Sequence, residues 1–321
     1  MPIYLTESDV TALLMMPEAI SALDQSFRAQ ARGDAVNQPR RRLYLPHGTY
    51  HSMTAADLSL QTYGQKTYSS FGRTTRFLFL LHDANSGDLL AIMAADRLGQ
   101  VRTGAATGVA ASLLARDSPG LRVGIYGAGW QARSQLEAVC AVRDAARITV
   151  YSRSADTRAQ FCREMAEHLG RPVEAADRPE DAAREQDIVI TATTARDPVL
   201  RGEWLSPGVF VSAVGSNMLM KREIDETVVS RSDVIVVDSV EQSRIEAGDL
   251  LPAIERRIVR WEQIRELHEI VSGAHPGRTG AEQIILFKSN GIALEDVAVA
   301  TLVYRKARER GAGVNVPMWT D

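Results

Sequence analysis

The sequence predicts an α/β protein, in which a Rossmann-type, doubly wound parallel sheet domain is joined to an α+β domain. Three observations carry this. Residues 121–154 run strand, glycine turn, helix, strand, with the turn written Gly127-Ala-Gly129-Trp-Gln131-Ala132. Later apolar runs at 187–194, 209–215 and 234–238 alternate little, which suits parallel strands covered on both faces. The first 120 residues precede this unit and follow a different pattern, a helix and then a run of short, apolar strands.

The leading segment starts with a helix near Pro17 that places Ile20, Leu23, Phe27 and Ala31 on one face. Gln38-Pro-Arg40-Arg41-Arg42 then enters a strand, Leu43-Tyr-Leu45. Alternation sends Arg41 to one face and Arg40 and Arg42 to the other. His51–Thr54 and Tyr63–Tyr68 read as short strands, the second containing Lys66. Arg76–His82 is a strongly apolar strand, and Asp83–Gly87 turns it into a hairpin with Leu89–Met93. Arg102 and Thr103 fall at or just before the start of an Ala-rich helix that ends at Arg116, a place where anions bind. Asp117-Ser-Pro-Gly120 sets a boundary, giving domains of 1–118 with 294–321 and of 119–293.

In the second domain Val123, Ile125 and Tyr126 are strand formers leading into the glycine turn. Gly127 permits a tight turn, Gly129 lets the backbone approach a pyrophosphate, and Ala132 keeps helix and strand close. Ala132, Leu136, Val139 and Cys140 recur at helical spacing. The next strand, Ile148–Tyr151, runs out into Ser152-Arg153-Ser154. A carboxylate at this tip would accept the ribose hydroxyls of NAD. A guanidinium between two hydroxyls instead receives a 2′-phosphate, which favours NADP(H). NAD(H) is the alternative if Asp156, slightly later, serves the ribose. The 187–194 run ends in Thr193-Thr194, and the 209–215 run leads to Ser216-Asn217, placing polar groups at strand carboxyl ends where ligands bind in open sheets. A final helix begins near Leu294, with Val297, Thr301, Tyr304 and Arg308 at regular spacing.

The 321 residues are 45% hydrophobic and carry a net charge of −3, so nothing suggests a nucleic-acid or membrane-surface partner. No apolar run reaches membrane length, and no secretory signal is visible. Cys140 and Cys162 lack a Cys-x-x-Cys spacing and read as reduced thiols of a cytoplasmic protein. Six histidines give no metal signature, and Pro46 and Gly48 argue against a helix aligning His47 with His51.

Taken together these residues resemble the ornithine cyclodeaminase/μ-crystallin family over nearly the whole chain. The landmarks are Gln38-Pro-Arg-Arg-Arg42, Lys66, Arg102-Thr-Gly-Ala105, Gly127–Ala132, Ala213-Val-Gly-Ser-Asn217, Glu246-Ala-Gly-Asp249 and Phe287-Lys-Ser-Asn-Gly291. The resemblance implies a homodimer whose N-terminal domain makes a strand-rich interface and, with the last helix, the substrate site. A Rossmann domain supplies the nicotinamide, with Gly127, Gly129, Gln131, Ala132, Ser152, Arg153, Ser154 and Thr193, and Thr103 of the first domain, as the cofactor-binding residues. It implies that Arg41 (otherwise Arg40 or Arg42) and Arg102 clamp a substrate carboxylate, and that Lys66 handles the proton at the substrate nitrogen. Burial among arginines should lower the pKa of that lysine toward a useful range.

One landmark departs from the family. Cyclodeaminases carry an aspartate where this chain has Asn217, and an amide cannot take a proton. The expected activity is therefore NAD(P)H-dependent reduction of a small α-imino acid, such as iminosuccinate, an alanine-type imine or a cyclic ketimine, to the L-amino acid. An excess of arginine near the pocket favours a dicarboxylate. The alternatives are an NAD-dependent cyclodeaminase of the ornithine or lysine type and a μ-crystallin-like binding protein.

Overall fold

The computed structural model describes residues 1–72 and 74–318. It divides into two compact units, Met1–Ala105 with Ile292–Asp321 and Ala106–Gly291. The final residues of the expected first domain, 319–321, lie outside the described residues.

The chain opens with β1 (Ile3–Leu5), α1 (Glu7–Leu13) and α2 (Met16–Arg32), followed by β2 (Ala35–Leu45), β3 (Gly48–Asp57), β4 (Thr62–Phe71), β5 (Thr74–Asp83), β6 (Leu89–Ala94) and α3 (Asp96–Leu114). Next come β7 (Leu121–Tyr126), α4 (Trp130–Val142), β8 (Ala145–Tyr151), α5 (Ala155–Leu169), β9 (Val173–Ala175), β10 (Ile188–Thr191), β11 (Phe210–Ala213), α6 (Glu226–Arg231), β12 (Val234–Val237), α7 (Val240–Glu246), α8 (Leu251–Glu255), β13 (Arg265–Glu266), α9 (Leu267–Val271) and β14 (Ile285–Lys288). Finally α10 (Ala293–Arg310) and β15 (Val314–Asn315) return to the first unit.

The first unit is built on a seven-stranded sheet in the order β15-β1-β6-β5-β4-β3-β2. Its β2–β5 meander has strands of ten or eleven residues, longer than the short runs read from sequence. Polar residues such as Thr, Ser and Gln extend the alternation beyond the apolar stretches. Helices α2 and α10 supply the apolar cover. In α2, Met16, Ala19, Leu23, Ser26, Phe27 and Ala29 are buried. Ala31, expected on that face, is exposed in the last turn, just before Gly33 ends the helix in a left-handed conformation.

Edge strand β2 contains Pro39, which has no N–H to give a ladder. The β2–β3 register shifts between Gln38 and Arg41. This irregularity decides which arginine faces inward. Arg40 is 4% exposed, while Arg41 lies on the outer, exposed face.

Helix α3 starts at Asp96, well before the expected start near Arg102. The carboxylate of Glu7 fixes that start by accepting the N–H groups of Asp96 and Arg97 at 2.7 and 3.0 Å. Arg102 and Thr103 are thus interior helix residues, and Thr103 donates its hydroxyl to the Gly99 carbonyl at 2.7 Å. The division between the units also falls inside α3 rather than after it. Its later turns are bonded into the second unit: the hydroxyls of Thr107 and Ser212 are 2.9 Å apart, and Arg143 and Arg278 donate to the carbonyls of Ser112 and Leu114.

The second unit is a Rossmann-type domain. Its eight strands run β13-β12-β14-β11-β10-β7-β8-β9, and every pair is parallel. The order reverses between β7 and β10, which makes their carboxyl ends the topological switch point. Strands β10 and β11 are buried at every position, as expected when helices cover both faces. No described helix is long and apolar enough to cross a membrane.

Candidate active site

In the second unit a cleft of about 330 Å³ lies at the switch point. Residues 126–129 after β7, 151–154 after β8 and 192–195 after β10 line it, together with Thr157 and Val199. Gly127 has φ +111°, and a Cβ there would stand 2.3 Å from the Ala192 carbonyl oxygen. Only glycine fits that position. Gly129 is the reverse case: a Cβ there would meet nothing within 4 Å, so the backbone faces open space at the N-cap of α4. An anion can approach the first N–H groups of that helix.

Most of the cofactor candidates come together here. Gly127, Gly129, Ser152, Arg153, Ser154 and Thr193 line the cleft. Ala132 is fully buried beneath it. Gln131 is half-buried in the first turn of α4 and is not among the lining residues. Thr103 belongs to the first unit and is occupied inside α3. That corrects its reading as a helix N-terminal group, since the Glu7 carboxylate already fills the start of the helix. At the β8 tip Ser154 caps α5 by accepting the Thr157 N–H, and Ser152 donates to the Ser154 carbonyl. The Arg153 side chain is exposed. The lining contains one guanidinium and no carboxylate.

The first unit holds a buried charged cluster. Lys66, in the middle of β4, is 2% exposed, and its Nζ lies 3.0 Å from Asp296 Oδ1 on α10. Arg102 Nη1 donates to Glu295 Oε2 at 2.7 Å, and its Nε lies 3.3 Å from Asp296 Oδ1. Arg40 approaches from β2, with Nε 3.3 Å from the Met53 sulfur. Burial pushes the Lys66 ammonium well below the usual lysine range, to about 8; Asp296 opposes the shift, and Arg102 and Arg40 add to it. Of these five charged groups three are cationic and two anionic, which leaves the cluster biased toward an anion. His51 is buried alongside, stacked on Tyr68 at 4.1 Å. Burial, then Arg42 and Arg40, push its pKa down to about 4, so it is neutral at pH 7.

The structure therefore places Arg40, rather than Arg41, with Lys66. The alternation within the arginine run holds, and the bulge in β2 decides which of its faces is buried, because one extra residue shifts the run relative to the strand before it. The two acids were not identified beforehand. Their signal was there: Glu295 and Asp296 are adjacent charges in an otherwise apolar stretch, Ile292–Ala300. Asn217 is half-buried in the loop after β11 of the second unit. That loop rests on a buried polar group: Asp249 and Lys288, both within sequence landmarks, and Glu223, which sequence reasoning missed. Among the described residues no three His, Cys, Asp or Glu side chains gather to hold a metal ion.

Comparison with known proteins finds relatives over nearly the whole chain. The model of the ornithine cyclodeaminase/mu-crystallin family matches residues 2–311. The structure of Thermococcus litoralis Delta(1)-pyrroline-2-carboxylate reductase, in complex with NADH and L-proline, superposes with a TM-score of 0.93 at 34% identity, covering 98% of this chain and 100% of that one. An archaeal alanine dehydrogenase dimer with bound NAD gives 0.92 at 31% identity, with 99% of each chain covered. The iminosuccinate reductase of Paracoccus denitrificans in complex with NAD+ gives 0.91 at 26% identity, covering 98% and 99%.

Proposed function

The chain belongs to the ornithine cyclodeaminase/mu-crystallin family, and from that premise we propose that it is a nicotinamide-dependent oxidoreductase reducing a small α-imino acid to the L-amino acid. The observation that carries this reading is Lys66: a buried ammonium with a pKa near 8, held by Asp296 and set between two arginines. Such a group can give a proton to nitrogen near neutral pH.

The second-unit cleft fits a dinucleotide. Open space at Gly129 admits a pyrophosphate onto the start of α4, and Thr193 and the β8 tip flank the remainder. Bound there, the nicotinamide would supply a hydride for the α-carbon. Arg40 and Arg102 hold the α-carboxylate in a charge-assisted contact that orients the imine. Lys66 protonates the nitrogen that becomes the amine. Asn217 donates a hydrogen bond and cannot serve as the base that cyclodeamination requires. The substrates named for the relatives, an alanine, a pyrroline-2-carboxylate and an iminosuccinate, mark the class to be tried.

For the cofactor, the carboxylate-free lining with Arg153 at its rim supports NADP(H). The relatives were seen with NADH or NAD, so the ratio of the two affinities is the discriminating quantity. Exposed Leu43, Tyr44, Phe71 and Leu78, all on strands of the first unit's sheet, support a second copy of this chain as the partner. Light scattering at micromolar protein should give twice the chain mass.

The test of the activity is a screen of α-keto acids with ammonia or methylamine, and of cyclic imines, following oxidation of NADPH and NADH. Consumption of stoichiometric nucleotide is expected. Ammonia release from ornithine or lysine with only catalytic NAD would overturn the reading.

A further inference from the structure

Glu223 is fully buried and lies where three segments of the second unit meet. Its Oε1 accepts the N–H and the hydroxyl of Thr193 at 2.6 and 2.8 Å. Its Oε2 accepts the Thr191 hydroxyl at 2.9 Å and the Gly215 N–H at 2.6 Å. One carboxylate thus closes the ends of both β10 and β11. Beyond β10 the chain forms the Thr193–Ala195 wall of the cleft. Beyond β11 it runs through Gly215 to Asn217.

The support behind Glu223 comes from two sequence landmarks that the proposed chemistry does not use. Asp249 Oδ1 accepts the N–H groups of Glu223 and Ile224 at 2.6 and 3.2 Å. Asp249 Oδ2 lies 3.1 Å from Lys288 Nζ, which also donates to the Ser216 carbonyl. Gly248 sits under the same loop, where a Cβ would stand 2.6–2.7 Å from the carbonyl oxygens of Met218, Leu219 and Lys221. The loop carrying Asn217 is therefore seated on Gly248 and held at its root by Glu223 and Lys288.

We propose that Glu223 is a positioning residue that sets the nucleotide-cleft wall at Thr193 and the Asn217 loop in one fixed relation. A purely structural acid needs only to satisfy itself, whereas this one takes three bonds from the end of β10 and one from the chain beyond β11, two strand ends that the oxidoreductase reading gives separate duties. Four donors from two segments suit an acceptor-only carboxylate. Burial, then the Asp249 carboxylate, push the Glu223 pKa upward, and Lys288 and the Thr193 hydrogen bonds oppose the shift. The inference rests on the oxidoreductase reading.

The experiment measures NADPH and NADH affinity by nucleotide fluorescence, and kcat with the imine that the wild type accepts. It uses the wild type, Glu223→Gln, Thr191→Val and Gly248→Ala, each with a melting curve. Glu223→Gln sets an amide N–H₂ against donors on one side and should weaken nucleotide about tenfold and lower kcat by at least as much. Thr191→Val removes one of the four bonds without touching the cleft lining and should weaken nucleotide about twofold. Gly248→Ala displaces only the Asn217 loop and should lower kcat while nucleotide affinity stays within twofold. If Glu223→Gln and Thr191→Val lose melting temperature but bind and turn over as the wild type does, Glu223 is merely structural and the inference fails. If Glu223→Gln does not fold, Thr191→Val decides alone: weaker nucleotide binding supports the inference, and unchanged binding overturns it. A wild type that binds neither nucleotide would instead remove the oxidoreductase reading itself, and this inference with it.

Discussion

The cleft of the second unit and the charged cluster of the first are built by opposite means. The cleft is mostly backbone: two glycines, the N-terminus of α4 and the ends of three parallel strands. The cluster is all side chain, with Arg40, Lys66, Arg102, Glu295 and Asp296 brought together from β2, β4, α3 and α10. A backbone site tolerates many side chains but few conformations. A side-chain site depends on each charge keeping its partner, since removing one member of a buried pair leaves the other desolvated and costs about 3–5 kcal/mol. Substitutions in the charged cluster should therefore strike chemistry hardest, and those in the cleft lining should shift nucleotide preference.

The sharpest break of that contrast is Lys66→Met. It should lower kcat by about 10²–10⁴-fold, the span for a general acid, with nucleotide affinity almost unchanged. A near-normal kcat in steady-state assays would leave Lys66 as packing.

Next in size is the arginine pair. Arg40→Ala should reduce kcat/KM by about 10–100-fold, the loss of one charge-assisted contact of roughly 1.5–3 kcal/mol. Arg41→Ala should stay within about twofold. Equal effects would mean that the bulge in β2 does not choose between them.

The pH profile sharpens the same comparison. The ammonium form of Lys66 is the proton donor, so reduction should be flat below its pKa and fall about tenfold per pH unit above about 8. The oxidative direction, which needs the neutral amine, should rise through the same pH. Asp296 favours the ammonium, so Asp296→Asn should move the break to lower pH. A break that stays in place would detach the profile from Lys66.

The smallest effect belongs to the cleft rim. Arg153→Ala should raise the NADPH KM about tenfold and leave the NADH KM within twofold, as expected for an exposed guanidinium facing a 2′-phosphate. Parallel changes, or a wild-type preference for NADH, would assign the rim to another group.

The same contrast explains how much could be read in advance. The Gly127–Ala132 turn and the parallel strands were legible because their causes are local: a positive φ, a close approach and unbroken apolar runs. Lys66, a single lysine in a strand, pointed to a site only through the family resemblance. Arg102 and Thr103 were placed in the wrong turn because Glu7, far away in sequence, sets the start of α3. Arg41 came before Arg40 through the family resemblance; alternation separates the two but cannot say which face of β2 is buried, and the register shift near Pro39 decides that. Asp249 and Lys288 stood out only as members of family landmarks with no role attached, and Glu223, separated from both by long stretches of chain, looks alone like an ordinary surface charge. Their burial is a property of the assembled sheet.

The irregularity in β2 has a consequence for how the strand tolerates error. Insertions and deletions usually ruin a half-buried strand, because a slip of one residue turns its inner face outward. Here the segment next to Pro39 reads Arg-Arg-Arg. Loss of one residue ahead of the run, or relaxation of the bulge, would still deliver a guanidinium to the buried side, with Arg41 taking the place of Arg40. The repetition works as a spare part: the buried guanidinium survives a slip that would disable a strand with a single arginine.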